Sequence, residues 1–396
     1  MKASSVLGLV AALVAMLAVG LWLGGHPAHI PPTLRDAFVD DSAGLNVEAT
    51  ELIEDNYYRA VSQEELTNAS LQGMVRGLRR RYRDRFSEYF SPELLAQFKE
   101  AISGRFSGIG ISVVEVKRGL RVEQVFARSP AEKAGLEVGD TIVSVNGSSI
   151  EGEPSDISTQ RIKGPEGTEV TLGVQGAAND GLRELPIVRA EIALPVVSSK
   201  VVEVNGRKLG YVRLISFSEG AHALLRNAVR KVERQGAEAI VLDLRGNGGG
   251  LLEEAVLSAS IFLPEGEVVA TTDSRTQGQS TYKTVGDDLP ARPMVVLIDG
   301  NTASAAEILT AALADNADAE VFGARSYGKG VFQQEVDLSN GGALKLTIGE
   351  YFTPDGTNLA GHGIDPDVPV RDLPATAQDE VLDRALEKLA APQGQK

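Results

Sequence analysis

The rhythm of apolar and polar positions changes several times along the chain, and each change marks a different kind of structure. Val6 to Leu23 is an unbroken run of 18 apolar and glycine positions preceded by Lys2. It lacks the polar face of a helix that lies on a soluble core. Its length is about the minimum for a membrane-crossing helix and exceeds the roughly 7 to 15 residues of a secretory hydrophobic region. No clean small-residue cleavage site follows, so residues 1–25 read as a retained anchor in preference to a cleaved signal, with Lys2 inside and the remainder exported, periplasmic or otherwise extracytoplasmic. Pro27, Pro31 and Pro32 then mark residues 26–45 as a linker. Over residues 46–105, apolar positions at three- and four-residue steps, among them Leu52, Ile53, Tyr57 and Val61, predict helices. Ser91-Pro92-Glu93 opens the last of these in cap-and-proline style.

From residue 106 the period shortens to two. Short alternating strands are broken by glycines, Ser129-Pro130 opens a brief helix that Gly135 ends, and "TIVSVNG" returns as a strand. Beyond residue 190 strands alternate with amphipathic helices: "GYVRLISF", "AHALLRNAVRKVERQG", "AEAIVLDLRG", "NGGGLLEEAVLSASIF", "PMVVLIDG" and "NTASAAEILTAALADN". Residues 191–396 therefore read as an α/β core, closed by the helix "DEVLDRALEKLA".

Composition narrows the chemistry. A chain of 396 residues exceeds what one hydrophobic core usually organises. Acidic residues outnumber basic ones, 54 to 39, and no long basic run occurs, which argues against an electrostatic grip on nucleic acid. The short patch Arg79 to Arg85 reads as a solvated helix face. The absence of cysteine removes disulfides, thiolate nucleophiles and cysteine-ligated zinc. No H-E-x-x-H spacing is present, and Asp365 to Asp367 reads as a turn, so neither metal nor cofactor is expected.

Ser304 stands where the strand "MVVLIDG" gives way to a helix, beside that helix's positive end. That place suits a nucleophile. It equally suits a helix cap, because Ser304 and Glu307 form an S-x-x-E capping box and Thr302 offers another cap. Of four histidines, His26 and His29 fall in the linker, leaving His222 and His362 for a histidine-type serine hydrolase, and Ser304 lacks the G-x-S-x-G context. The glycine turn Gly246 to Gly250 exposes backbone donors suited to an anion. "GARSYGKG" fits a phosphate-binding loop as far as Lys329, but Gly330 stands in place of Ser or Thr and "VFQQEVDL" continues as a strand, not a helix. Among apolar and aromatic neighbours, burial would lower the amine of Lys329 from about 10.4 and leave it able to take a proton from Ser304.

Two resemblances organise these readings. Residues 106–190 resemble a PDZ domain, which implies that the backbone of Gly108, Ile109, Gly110 and Ile111 receives a chain-terminal carboxylate while the peptide adds as a strand. "NTASAAEI", "YGKGVFQQ" and "DLRGNGGGLL", together with that domain, are similar to the carboxy-terminal processing proteases, also called tail-specific proteases. The resemblance implies a multidomain α+β and α/β fold: N-terminal helices, a β-rich PDZ domain and a crotonase-like α/β protease core. It further implies a serine endopeptidase in which Ser304 is the nucleophile, Lys329 the general base 25 positions on, and Gln333 the group that positions the lysine. The N–H groups of Ala305 and Gly249 match its oxyanion hole, with Gly248 or Gly250 as alternative donors. Protein tails are the implied substrate, and an adaptor or a homo-oligomer is compatible with the pattern. Two departures stand out. The family's N-N-P-G-G is replaced by Gly246-Asn247-Gly248-Gly249-Gly250, and a regular strand would separate Lys329 from Gln333 by about 13 Å, so their contact requires a bend at Gly330. The competing class is a PDZ scaffold that presents peptides without catalysis.

Overall fold

The computed structural model describes residues 13–16, 19–20, 41–177, 181–286, 288–372 and 378–391. The chain divides into two units, one of residues 1–92 with 335–346, the other of residues 93–334 with 347–396. The anchor expected over residues 6–23 lies largely outside the described residues; among those described, no helix is long and apolar enough to cross a membrane.

In the first unit, α1 (Asp41–Asn56) begins inside the segment expected to be linker, and α2 (Gln63–Tyr82) follows. Ser62 and Glu65 cap α2 reciprocally: Glu65 N–H donates to Ser62 Oγ at 3.2 Å and Ser62 N–H to Glu65 Oε2 at 2.8 Å. Strand β1 (Glu88–Phe90) pairs antiparallel with Ala343–Lys345, and the Tyr89 hydroxyl ties it to Asn68. Leu52, Ile53 and Tyr57, expected as one apolar stripe, are exposed, and Tyr57 lies beyond the end of α1.

Helix α3 (Pro92–Ser103) lies in the second unit from Glu93 onward, and β2 (Arg105–Gly108) follows. Strand β2 pairs antiparallel with β9 (Ala190–Ala193), in the register Arg105 to Ala193 and Gly108 to Ala190. The segment between them thus leaves and returns at adjacent points. It contains β3 (Ile111–Val116), β4 (Gly119–Val125), the short α4 (Pro130–Lys133), β5 (Thr141–Val145), β6 (Ser148–Ser149), α5 (Ser155–Ile162), β7 (Glu169–Gln175) and β8 (Leu182–Val188). Its strands form one antiparallel sheet in the order β3-β4-β5-β7-β8, with β6 on β5. Ile109, Leu120, Ile142, Val170 and Leu172 fill a core of their own. As the sequence predicts, Ser129 caps α4, its Oγ accepting Glu132 N–H at 3.2 Å with Pro130 at the first helical position.

The remaining chain builds a six-stranded sheet in the order β10-β11-β12-β15-β16-β19, from β10 (Val197–Val204), β11 (Arg207–Leu214), β12 (Ala239–Asp243), β15 (Met294–Ile298), β16 (Glu320–Gly323) and β19 (Val368–Pro369). Strand β10 runs antiparallel to β11 and the others are parallel. All of β12 is buried, because both faces are covered. Ile240, Leu242, Val296 and Ile298 meet α6 (Ala221–Arg234), α7 (Leu252–Ala259) and α8 (Ala305–Ala317). Ala239, Val241, Val295 and Leu297 meet α9 (Glu380–Ala390) on the other side. Arg245 fastens α9, bonding Asp243 at 2.8 Å and Asp379 at 2.7 Å, while Tyr211 Oη donates to Asp243 at 2.7 Å. Two further antiparallel strands, β13 (Val268–Ser274) and β14 (Gly278–Lys283), pair with each other, and Thr271–Ser274 also pairs with Gly349–Phe352 of β18 (Ala343–Phe352). Strand β17 (Val331–Asp337) follows Lys329, so the chain after this lysine is a strand and not the helix that a phosphate-binding loop needs.

Candidate active site

Three chain crossings converge at the carboxyl ends of β12 and β15, where α/β sheets place their sites. After β15, Asp299 turns the chain. Its Oδ1 accepts the N–H groups of Gly246, Asn301 and Thr302, each at 3.0 Å. Thr302 Oγ1 donates to Leu244 O at 2.9 Å and Ala303 N–H to Asn247 O at 2.9 Å. This stitching fixes the turn that carries Ser304 against the glycine turn that follows β12. Thr302 is consequently spent on the stitching, not on capping α8.

Ser304 precedes α8 with φ 59° and ψ −121°, a conformation that costs a non-glycine residue about 1–3 kcal/mol. Its side chain is thereby held at the mouth of a helix whose first turns, Ala305 through Leu313, are wholly buried. Gly249 lies directly against it: with φ +99°, a Cβ there would sit 2.8 Å from Ser304 Cβ and 3.0 Å from Ala305 N. A glycine is needed because no side chain fits between the two crossings. The structure thus brings Gly249, Ser304 and Ala305 N–H together. Gly249 N–H itself donates to Asn247 Oδ1 at 2.9 Å, in a buried contact.

Lys329 arrives from β16 through residues 324–330. Tyr327 N–H donates to Thr302 O at 2.9 Å, and Ser326 N–H to Ile364 O at 3.0 Å. Gly330, with φ +59°, lies so close to Ala360 that a Cβ would meet its N at 2.3 Å. Gly330 thus has a left-handed backbone immediately before β17. Gln333 is half-buried in β17 and its amide donates to Thr347 Oγ1 at 3.4 Å.

Glu307 sits under all of this and is completely buried. Its Oε2 accepts Ser304 N–H at 2.8 Å and Lys329 N–H at 3.1 Å. Its Oε1 accepts Ser326 Oγ–H at 2.5 Å and Gly328 N–H at 2.7 Å. The Tyr351 hydroxyl donates to Oε2 at 3.4 Å while accepting Gly330 N–H at 3.1 Å. Burial, reinforced by the Glu307 carboxylate, pushes the Tyr351 phenol well above its ordinary range, so it remains a donor. The sequence identified Glu307 only as the far end of a capping box. Its S-x-x-E spacing was the one available signal, and Tyr351 gave none.

The other candidates fall elsewhere. His222 Nδ1 lies 2.8 Å from Glu254 Oε2 at the start of α6. Asp365 pairs with Arg325 at 2.6 Å, and Asp367 accepts Val321 N–H at 2.8 Å. Among the described residues no group of three or more histidine or acidic side chains could hold a metal ion. In the β-rich domain, Gly108 ends β2 and Ile111 begins β3. Ile109 O accepts Ala131 N–H and Gly110 O accepts Phe126 N–H, each at 2.9 Å, and the Ile109 side chain is in the core.

Comparison with known proteins yields consistent matches. The model of peptidase family S41 matches residues 208–370, and the PDZ domain model matches residues 97–175. The carboxy-terminal processing protease CtpA of Bacillus subtilis (strain 168) is 33% identical over 335 residues, covering 85% of this chain and 70% of the relative. A "Probable CtpA-like serine protease" of Staphylococcus aureus (strain bovine RF122 / ET3-1) is 35% identical over 334 residues, covering 83% of this chain and 65% of the relative, so the chain spans just under two thirds of that protein's length. The solved structure of a photosystem II D1 C-terminal processing protease is 27% identical, with a TM-score of 0.50 over 87% of this chain and 97% of the other.

Proposed function

The chain belongs to peptidase family S41, among the carboxy-terminal processing proteases that carry a PDZ domain, and on that premise we propose that it is a serine endopeptidase working through Ser304 and Lys329. The observation that carries this reading is the shared anchor of the two residues, whose main-chain N–H groups bond the same carboxylate oxygen of Glu307. Ser304 sits on a strained turn at the positive end of a buried helix, where a developing alkoxide is favoured. The Lys329 amine takes the hydroxyl proton as Ser304 Oγ attacks a peptide carbonyl, and returns it to the leaving amine. Water then hydrolyses the acyl-enzyme. Ala305 N–H and a donor from the glycine turn receive the oxyanion. Since Gly249 N–H is held by Asn247, Gly249 serves only if that bond opens on substrate binding, and otherwise the donor passes to Gly248 or Gly250. The Gln333 amide orients Lys329 once it turns from Thr347. A substrate's tail carboxylate meets the backbone of residues 108–111 and the tail adds as a strand. The apolar run at residues 6–23 supports an exported, membrane-tethered enzyme.

The test is cleavage of a disordered polypeptide ending in an apolar tail, comparing the unsubstituted protein with Ser304→Ala and Lys329→Ala. Loss of cleavage in both variants is expected. Tail binding without cleavage by the unsubstituted protein identifies a scaffold instead, and undiminished cleavage by either variant removes the dyad.

A further inference from the structure

We infer that Glu307 is a positioning residue of the reaction, holding the Lys329 loop at the working distance from Ser304; this rests on the dyad reading above. A helix cap needs one carboxylate oxygen and one N–H. Glu307 instead takes five donors from three separate parts of the chain: Ser304 N–H on its own helix, the Ser326 hydroxyl with the Gly328 and Lys329 N–H groups on the loop, and the Tyr351 hydroxyl on β18.

The direction of each bond is fixed by its neighbour. Ser326 Oγ accepts Ile364 N–H at 2.7 Å, so its proton points to Glu307. Tyr351 Oη accepts Gly330 N–H, so its proton points there too. The carboxylate therefore acts only as an acceptor, and every partner lies on the loop within three residues of Lys329, at Ser304, or at Tyr351, whose hydroxyl also grips that loop.

Burying a carboxylate completely is costly unless its bonds are made, and an apolar core could close over α8 without it. What the carboxylate adds is geometric. Three consecutive N–H groups, those of Gly328, Lys329 and Gly330, are held by Glu307 or by Tyr351 bonded to Glu307. The loop therefore cannot shift relative to α8 without breaking several bonds together. Displacing a reacting group by about 1 Å can cost on the order of 100-fold in rate.

The experiment measures kcat and KM for a tail-bearing peptide with the full chain and with Glu307→Gln, Tyr351→Phe, Ser304→Ala and Lys329→Ala, each checked for a cooperative thermal transition. Glu307→Gln keeps the shape but turns an NH2 group toward donors. The expected result is a fall in kcat of about 10- to 100-fold with KM unchanged and the transition cooperative. Tyr351→Phe, which releases Gly330 N–H, lowers kcat by a smaller factor, again without changing KM, and carries the test alone if Glu307→Gln does not fold. Wild-type kcat in whichever of these two variants folds, or a fall in kcat matched by a rise in KM, overturns the inference. If Ser304→Ala and Lys329→Ala abolish turnover while Glu307→Gln and Tyr351→Phe keep the parent's kcat, the positioning role fails and the dyad stands. If either dyad variant retains turnover, the dyad reading itself falls and this inference with it.

Discussion

Ser304 occupies a backbone conformation that glycine adopts without penalty and alanine does not. Two inactive variants therefore differ in stability: Ser304→Gly is expected to melt higher than Ser304→Ala, by the equivalent of about 1 kcal/mol. Equal melting temperatures would show that the turn is relaxed. Gly330 presents the reverse case. Its left-handed φ and the 2.3 Å approach to Ala360 N leave no room for a methyl group, so Gly330→Ala is expected to lose about 1–3 kcal/mol in urea unfolding and to lose turnover beyond that. A special backbone at Gly330 was legible in the sequence, because a regular strand from Lys329 would hold Gln333 about 13 Å away. The burial of Glu307 was not, since one S-x-x-E spacing serves a surface cap and a buried hub alike, and only the return of residues 326–330 and Tyr351 from far along the chain distinguishes them.

At the scale of elements, α9 is held to the sheet by an ion network that runs from buried Asp243 through Arg245 to partly exposed Asp379, as well as by Val381, Ala385 and Leu386. Asp243 is fully buried, so replacing Arg245 by methionine leaves a carboxylate without its cation, at an expected cost of about 3–5 kcal/mol in denaturant unfolding. Asp379 gives a pH signature. Burial pushes its carboxyl up, but hydrogen bonds from Arg245 and from Leu382 N–H outweigh this and hold it below the ordinary range. A lowered folded value means that its stabilisation is present above the unfolded value of about 3.9 and is lost as pH falls through the folded one. The gap in unfolding midpoint between the parent and Asp379→Asn should accordingly be open at pH 7 and narrow below about pH 4. A gap independent of pH would contradict this. Strands β11, β12 and β15 and helices α6 to α9 were readable from apolar pattern, because the central strands are covered on both faces and their apolar runs are continuous, whereas β10, β16 and the two-residue β19 were not. The N-terminal helices were less so: the pattern of Leu52, Ile53 and Tyr57 satisfies a helical period, yet these side chains are exposed.

At the scale of the whole molecule, the β-rich domain enters and leaves through the paired strands β2 and β9, so its removal need not break the chain path of the core. If this domain gates access as well as binding tails, deleting residues 109–189 behind a short glycine linker is expected to speed cleavage of an unstructured peptide and to abolish the preference for a matching tail. Unchanged rates on both substrates would count against gating. The order of these modules was legible because each carries its own period and turn chemistry. What sequence could not supply was the state of the proposed oxyanion donors, since Gly249 N–H is taken by a side chain two residues away, a contact that no periodicity reports.

The most direct test of the central claim is the intact mass of the protein after reaction with a small serine-directed phosphonate, followed by mapping of the modified residue. The account predicts one adduct, on Ser304, formed readily by the parent chain and not by Lys329→Ala at the same pH. An adduct on another residue, or unimpaired labelling of Ser304 without the lysine, would contradict it.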